Sequence, residues 1–131
     1  MAAVTLTGTP SLSTTNPCPA HHISGLLAGE ALVAGDLVYI KSDGKVWKSD
    51  GGAADAEAAV VGMVLVATAV GEACSIYFDV NIRYGTGLTP GAKLYLSATD
   101  GLIADAASTG GTAPIGVVID ATRIRIWGSR Y

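Results

Sequence analysis

Residues 35–48 read Gly35-Asp36-Leu37-Val38-Tyr39-Ile40-Lys41-Ser42-Asp43-Gly44-Lys45-Val46-Trp47-Lys48. Two runs of β-branched and aromatic residues flank an Asp-Gly pair. Glycine enters positive φ without steric cost, so this arrangement predicts a β-hairpin. The same vocabulary returns later in the chain. Gly91-Ala92-Lys93-Leu94-Tyr95-Leu96 aligns with Gly35 to Ile40, with glycine and tyrosine in register, and Asp100-Gly101 echoes Asp43-Gly44 one residue out of step. Val61-Gly62-Met63-Val64-Leu65 likewise matches Ile115-Gly116-Val117-Val118-Ile119, so the offset is about 55 residues. A stacked array needs three or more repeats. Two copies predict an internal duplication: an all-β fold in which two similar β-meanders close on each other as a small β-barrel or sandwich. Chance recurrence of common β-turn residues is the competing explanation.

Other segments fit the same class. Ser49 to Ala59 is a Gly/Ala/Asp loop with room for one helical turn over Ala53–Ala59, Val60 to Val66 reads as a buried strand, and Cys74 to Val80 as another. In Arg123-Ile124-Arg125-Ile126-Trp127 the side chains alternate. Ile124 and Ile126 are therefore expected in the core, with Arg123, Arg125 and Trp127 on the opposite face. Tryptophan flanked by arginine is the composition of an interface hot spot; a solvated outer face is the plainer alternative.

Residues 1–22 stand apart. Thr5, Thr7, Thr9, Ser11, Ser13, Thr14 and Thr15 alternate loosely with small residues, and Pro10, Pro17 and Pro19 interrupt. Proline removes ladder donors and disfavours helix. The expected organisation is an extended N-terminal arm over residues 1–22, burying little against its own body, and a β body over residues 23–131. The arm is either a frayed tail or a segment that orders on a partner.

A chain of 131 residues suits one domain. Only 15% of residues are charged, the formal net charge is −3, and Lys and Arg form no cluster along the sequence. Nucleic-acid binders carry a basic stripe, so no nucleic-acid partner is expected. No stretch approaches the ~20 apolar residues of a membrane span, so no membrane partner is expected either. The N-terminus lacks the basic start and apolar core of a signal peptide, so synthesis in a cytoplasm is expected, with Cys18 and Cys74 as free thiols.

Motifs for chemistry are sparse. Cys18-Pro19-Ala20-His21-His22 offers three ligand types at cramped spacing, and Cys74 would be needed to complete a zinc set. A small thiol in a β-run is ordinarily buried, so no metal site is expected. The aspartates fall mostly in turns, where they hydrogen-bond their own backbone. Gly85-Thr86-Gly87 and Gly110-Gly111-Thr112 lack the Lys-Ser/Thr and strand-to-helix context of a phosphate loop. No catalytic residue and no cofactor is expected.

Leu32-Val33-Ala34-Gly35-Asp36-Leu37-Val38-Tyr39, Asp43-Gly44-Lys45-Val46, the Ala-rich loop and Val61-Gly62-Met63-Val64 together resemble the capsid decoration (cement) proteins of tailed bacteriophages. Leu88-Thr89-Pro90-Gly91-Ala92-Lys93-Leu94-Tyr95 and Pro114-Ile115-Gly116-Val117-Val118 are similar to the second half of those proteins. The likeness spans roughly residues 25–127, and the long polar arm departs from it. It implies a non-enzymatic virion protein on the outer surface of the expanded head, stabilising contacts between major capsid proteins and often trimeric. Contacts are then expected on the arm, at Thr5, Leu6, Leu12 and Pro17, and on Arg123, Arg125 and Trp127. Competing readings are a tail or baseplate accessory, a carbohydrate-binding surface module built on Trp47 and Trp127, and an enzyme.

Overall fold

A computed structural model describes residues 3–12 and 21–128. The described chain is all-β: β1 (Ser11–Leu12), β2 (His22–Leu27), β3 (Leu37–Ile40), β4 (Val46–Lys48), β5 (Gly62–Met63), β6 (Ala73–Tyr77), β7 (Val80–Arg83), β8 (Lys93–Leu96), β9 (Ile103–Ala104), β10 (Gly116–Val118) and β11 (Arg123–Ile126), with one 3-10 turn at Ala56–Ala58. Two antiparallel sheets result, ordered β2-β6-β5-β3-β4 and β1-β7-β11-β10-β8-β9. Neither closes into a barrel.

Apart from β1, the two sheets repeat one another strand for strand. The order β4-β3-β5-β6-β2 in the first corresponds to β9-β8-β10-β11-β7 in the second. Loop hydrogen bonds repeat as well. Gly35 N–H donates to Val64 C=O and Gly91 N–H to Val118 C=O, both at 2.8 Å. Val61 N–H donates to Val38 C=O and Ile115 N–H to Leu94 C=O, again both at 2.8 Å. Both Asp-Gly turns place glycine at positive φ, Gly44 at 79° and Gly101 at 76°, as the turn chemistry requires.

The units are not simple meanders. After each hairpin (β3–β4, β8–β9) the chain crosses to the far side of the hairpin's first strand, so β5 pairs with β3 and β10 with β8. The first strand of each unit then pairs with the last, β2 with β6 and β7 with β11. The expected strand Cys74 to Val80 is in fact two strands in two sheets. The break falls at Asp79, the one non-glycine residue with positive φ (52°) among those described. Aspartate tolerates the left-handed region better than branched residues do, so it can sit at this crossover. The expected strand Val60 to Val66 pairs only over Gly62–Met63, although Val60 and Val64 are buried.

One core joins the halves: Leu37, Val60 and Met63 from the first pack with Ile82, Leu94, Leu96, Ile103, Ile124 and Ile126 from the second. A smaller cluster of Ala28, Leu32, Val38, Val46, Val64, Cys74 and Ile76 lies within the first unit. Backbone bonds cross between the units, with Leu37 N–H donating to Gly101 C=O at 2.9 Å and Gly51 N–H to Ser97 C=O at 3.0 Å.

The first part of the arm does not lie free, which corrects the expectation that it buries little. Val4 N–H donates to Ile103 C=O at 3.1 Å, Thr7 N–H to Tyr84 C=O at 3.0 Å, and Ser11–Leu12 adds an edge strand to β7. Pro10 is buried, and Val4 and Leu6 pack against the main core. The segment thus runs from the β9 edge of the six-stranded sheet, where Ala3 bridges Ala104, to the β7 edge, where β1 pairs.

Candidate functional site

The pleat of the six-stranded sheet determines which side chains share its outer face. Directly opposed residues Lys93, Val117, Arg125 and Asn81 form one row across β8, β10, β11 and β7. Arg123, Arg83 and Ser11 form a second row across β11, β7 and β1. Ile124 and Ile126 point the other way and are fully buried, as the alternation predicts. Four of the chain's eight Lys and Arg residues therefore meet on one face. The sequence holds no linear cluster of cations; three strands distant in sequence assemble this one.

Each cation is held differently. Arg123 Nε donates to Asp120 Oδ2 at 2.7 Å. Asp120 Oδ1 also accepts the backbone N–H groups of Thr122 at 3.0 Å and Arg123 at 2.8 Å. The Thr122 amide and the Arg123 guanidinium bring the Asp120 carboxyl down to about 2. Arg125 donates to the neutral Asn81 Oδ1 at 2.9 Å. Arg83 and Lys93 are exposed. Trp127 continues β11, half-buried, and its Nε1 donates to Pro114 C=O at 3.3 Å.

The expected arm contacts separate. Thr5 is exposed, whereas Leu6 is turned into the core and rests against Gly35, so it is not a free contact. Leu12 belongs to β1, backbone-paired with Ile82, next to the cationic rows. Pro17 and Cys18 lie outside the described residues. Of the cysteine–histidine cluster, His22 stacks on Tyr77 with ring centroids 5.8 Å apart. Cys74 is buried in the small cluster, its thiol donating to Leu26 C=O at 3.5 Å and pushed up in pKa by burial. Residues 74 and 77 of one strand face opposite sides, so Cys74 points away from the His22 ring.

Aromatic candidates for sugar stacking are already engaged. Trp47 Nε1 donates to Asp43 at 3.2 Å, Lys41 Nζ lies 4.4 Å from the ring centroid, and Gly29 packs so closely beside Cε2, Nε1 and Cζ2 of the indole that a Cβ there would overlap the ring. A surface groove of about 530 Å³ runs along Leu65, Val66, Thr68, Ser75 and Tyr77. Its Thr68 hydroxyl donates to Val66 C=O and its Glu72 carboxylate accepts from Ala69 N–H, both local turn bonds.

In comparisons with known proteins, no family model matches the chain and no curated protein matches its sequence.

Proposed function

We propose that this chain is a capsid decoration protein of a tailed bacteriophage. It seats on the outer surface of the expanded head as a homo-oligomer, a trimer by analogy with the proteins it resembles, and stabilises contacts between major capsid proteins. The observation that carries the reading is the sequence likeness over roughly residues 25–127, whose short motifs fall at equivalent places in the two β units. In this reading the body is a two-layer sandwich of duplicated units joined by one core, of which many copies tile a shell. Modest contacts repeated over that shell sum to a large stabilisation through multivalency. The outer face of the six-stranded sheet, continued by Trp127, is the contact surface, with the exposed Thr5 of the arm as a further contact.

The test is co-sedimentation of the purified chain with undecorated expanded heads, together with its mass in solution. Saturable binding that raises the temperature at which the heads rupture supports the assignment. A chain that stays in the supernatant at micromolar concentration refutes it.

A further inference from the structure

The two units are alike in backbone but opposite in the chemistry of one face. Leu37 and Met63 sit opposite each other across β3 and β5, and Met63 sits opposite Tyr77 across β5 and β6. Leu37 and Met63 are fully buried, and with Tyr77 they dock the first unit onto the core of the second. The corresponding positions in the second unit are Lys93, Val117 and Arg125, paired in the same way across β8, β10 and β11. A surface that serves as a packing face in one unit is thus presented outward and positively charged in the other. The charges stop the units from stacking further, as polar caps do at the ends of repeat proteins.

They also leave an unmet electrostatic demand. Arg83 and Arg123 are directly opposite on adjacent strands, an arrangement that is destabilising for like charges. Asp120 neutralises Arg123, whereas Arg125 donates to a neutral amide. Among the described residues no ion pair is recorded for Arg83, Lys93 or Arg125.

We infer that the outer face of the six-stranded sheet, through Arg83, Lys93, Arg123 and Arg125, docks on an acidic protein surface. This names the chemistry of the partner in the proposed function and rests on that reading for the partner's identity, but not for the property of the face itself. Protein rather than nucleic acid is favoured because the chain as a whole carries −3 and the cations lie in two rows on a sheet whose aromatic neighbours among the described residues, Tyr95 and Trp127, are half-buried. A polyanion would be repelled by the rest of the molecule, whereas a local carboxylate patch meets only the face.

The experiment compares three full-length chains: wild type, Arg83→Glu/Lys93→Glu, and Lys41→Glu/Lys45→Glu, which makes the same charge change on the hairpin of the other sheet. Each is assayed against immobilised poly-L-glutamate, a 20-base-pair DNA duplex and undecorated expanded heads, at about 50 and about 300 mM salt, a range over which the screening length shortens about 2.5-fold. The expected result is binding of wild type to polyglutamate and heads at low salt, weakening about tenfold at high salt. The Arg83/Lys93 variant should lose at least about tenfold on both, with the Lys41/Lys45 variant little changed. Should the glutamate pair melt early, Arg83→Gln/Lys93→Gln is used instead. Equal binding of all three to polyglutamate overturns the inference, as does tighter binding of wild type to DNA than to polyglutamate. Head binding by the Arg83/Lys93 variant at wild-type affinity also overturns it while leaving the proposed function standing. Binding of polyglutamate but of no head leaves the face as inferred and removes the proposed function.

Discussion

Gly62 and Gly116 hold the same place in the two sheets. A Cβ on Gly62 would stand 2.3 Å from the Tyr77 carbonyl oxygen, and one on Gly116 would stand 2.4 Å from that of Arg125. In both units the missing side chain lets the strand before the final loop close against the strand after it. The duplication is therefore a repeat of steric requirements as well as of strand order.

Gly62→Ala and Gly116→Ala should each destabilise the chain by roughly 1–3 kcal/mol, the usual cost of forcing extra volume against fixed backbone. Urea unfolding measures it. Gly71→Ala is the reference, because its φ of 83° is unfavourable but nothing lies within 4 Å of the added methyl. If either strand glycine tolerates alanine better than Gly71 does, the close approach is wrong.

The docked arm makes a second prediction. Removing residues 1–12 takes away β1, the buried Pro10 and the packing of Val4 and Leu6, so the melting temperature should fall by several degrees. Leu6→Ala alone should cost about 1–2 kcal/mol, less than for a fully buried leucine because Leu6 is half-buried. Amide exchange at Arg83 should accelerate with the deletion, since its N–H faces β1, whereas that of Ile82 faces β11 and serves as the internal reference. Unchanged melting would mean the arm does not dock. Loss of head binding on arm deletion therefore cannot by itself mark the arm as a contact. Thr5→Arg, at an exposed position, tests that with stability left within about 0.5 kcal/mol.

Asp36 gives a pH signature. It is buried beneath the turn of the other unit: a Cβ on Gly101 would lie 2.7 Å from its Oδ1. Burial raises its pKa, and the Val33 N–H bond at 2.8 Å and Lys48 at 3.9 Å only partly offset this. A carboxyl with a raised folded pKa contributes stability that is full below its unfolded value and is lost as pH rises through the folded value. Asp36→Asn should therefore be at least as stable as wild type at pH 7, with the two converging near pH 4. Urea midpoints at pH 4, 5.5 and 7 measure this. A variant weaker at pH 7 that recovers on acidification would show the Lys48 ion pair outweighing desolvation.

Most of the architecture was legible from residues 35–48 and 91–101, because Asp-Gly turns and alternating runs are local signals. What sequence reasoning missed depends on non-local pairing. The split at Asp79 reads as an ordinary strand interior until β7 is seen paired with β11. The cationic face needs Arg83, Lys93 and Arg125 brought together from three separate strands. One signal was present in the repeat alignment itself: Lys93 stands where Leu37 does, so the two units could not be burying the same face. Leu6 and Thr5 are adjacent and chemically plausible as contacts, and only the docked backbone distinguishes the buried one from the free one.

Asp120 provides a last test, at the edge of the cationic face. Its carboxyl is held down to about 2, first by the Thr122 N–H and then by Arg123. A depressed folded pKa contributes stability that is present above the unfolded value of 3.8 and is lost as pH falls through about 2. Carboxyl-carbon NMR should place the Asp120 midpoint near 2, and Asp120→Asn should flatten the stability profile between pH 4 and pH 2. The same substitution leaves Arg123 facing Arg83 with no counter-charge, so it should tighten binding to polyglutamate at pH 7 while lowering stability in the unbound chain. A midpoint at the ordinary carboxylate value would mean that Asp120 does not hold Arg123. In that case the like-charge pair on β7 and β11 would be screened by solvent alone.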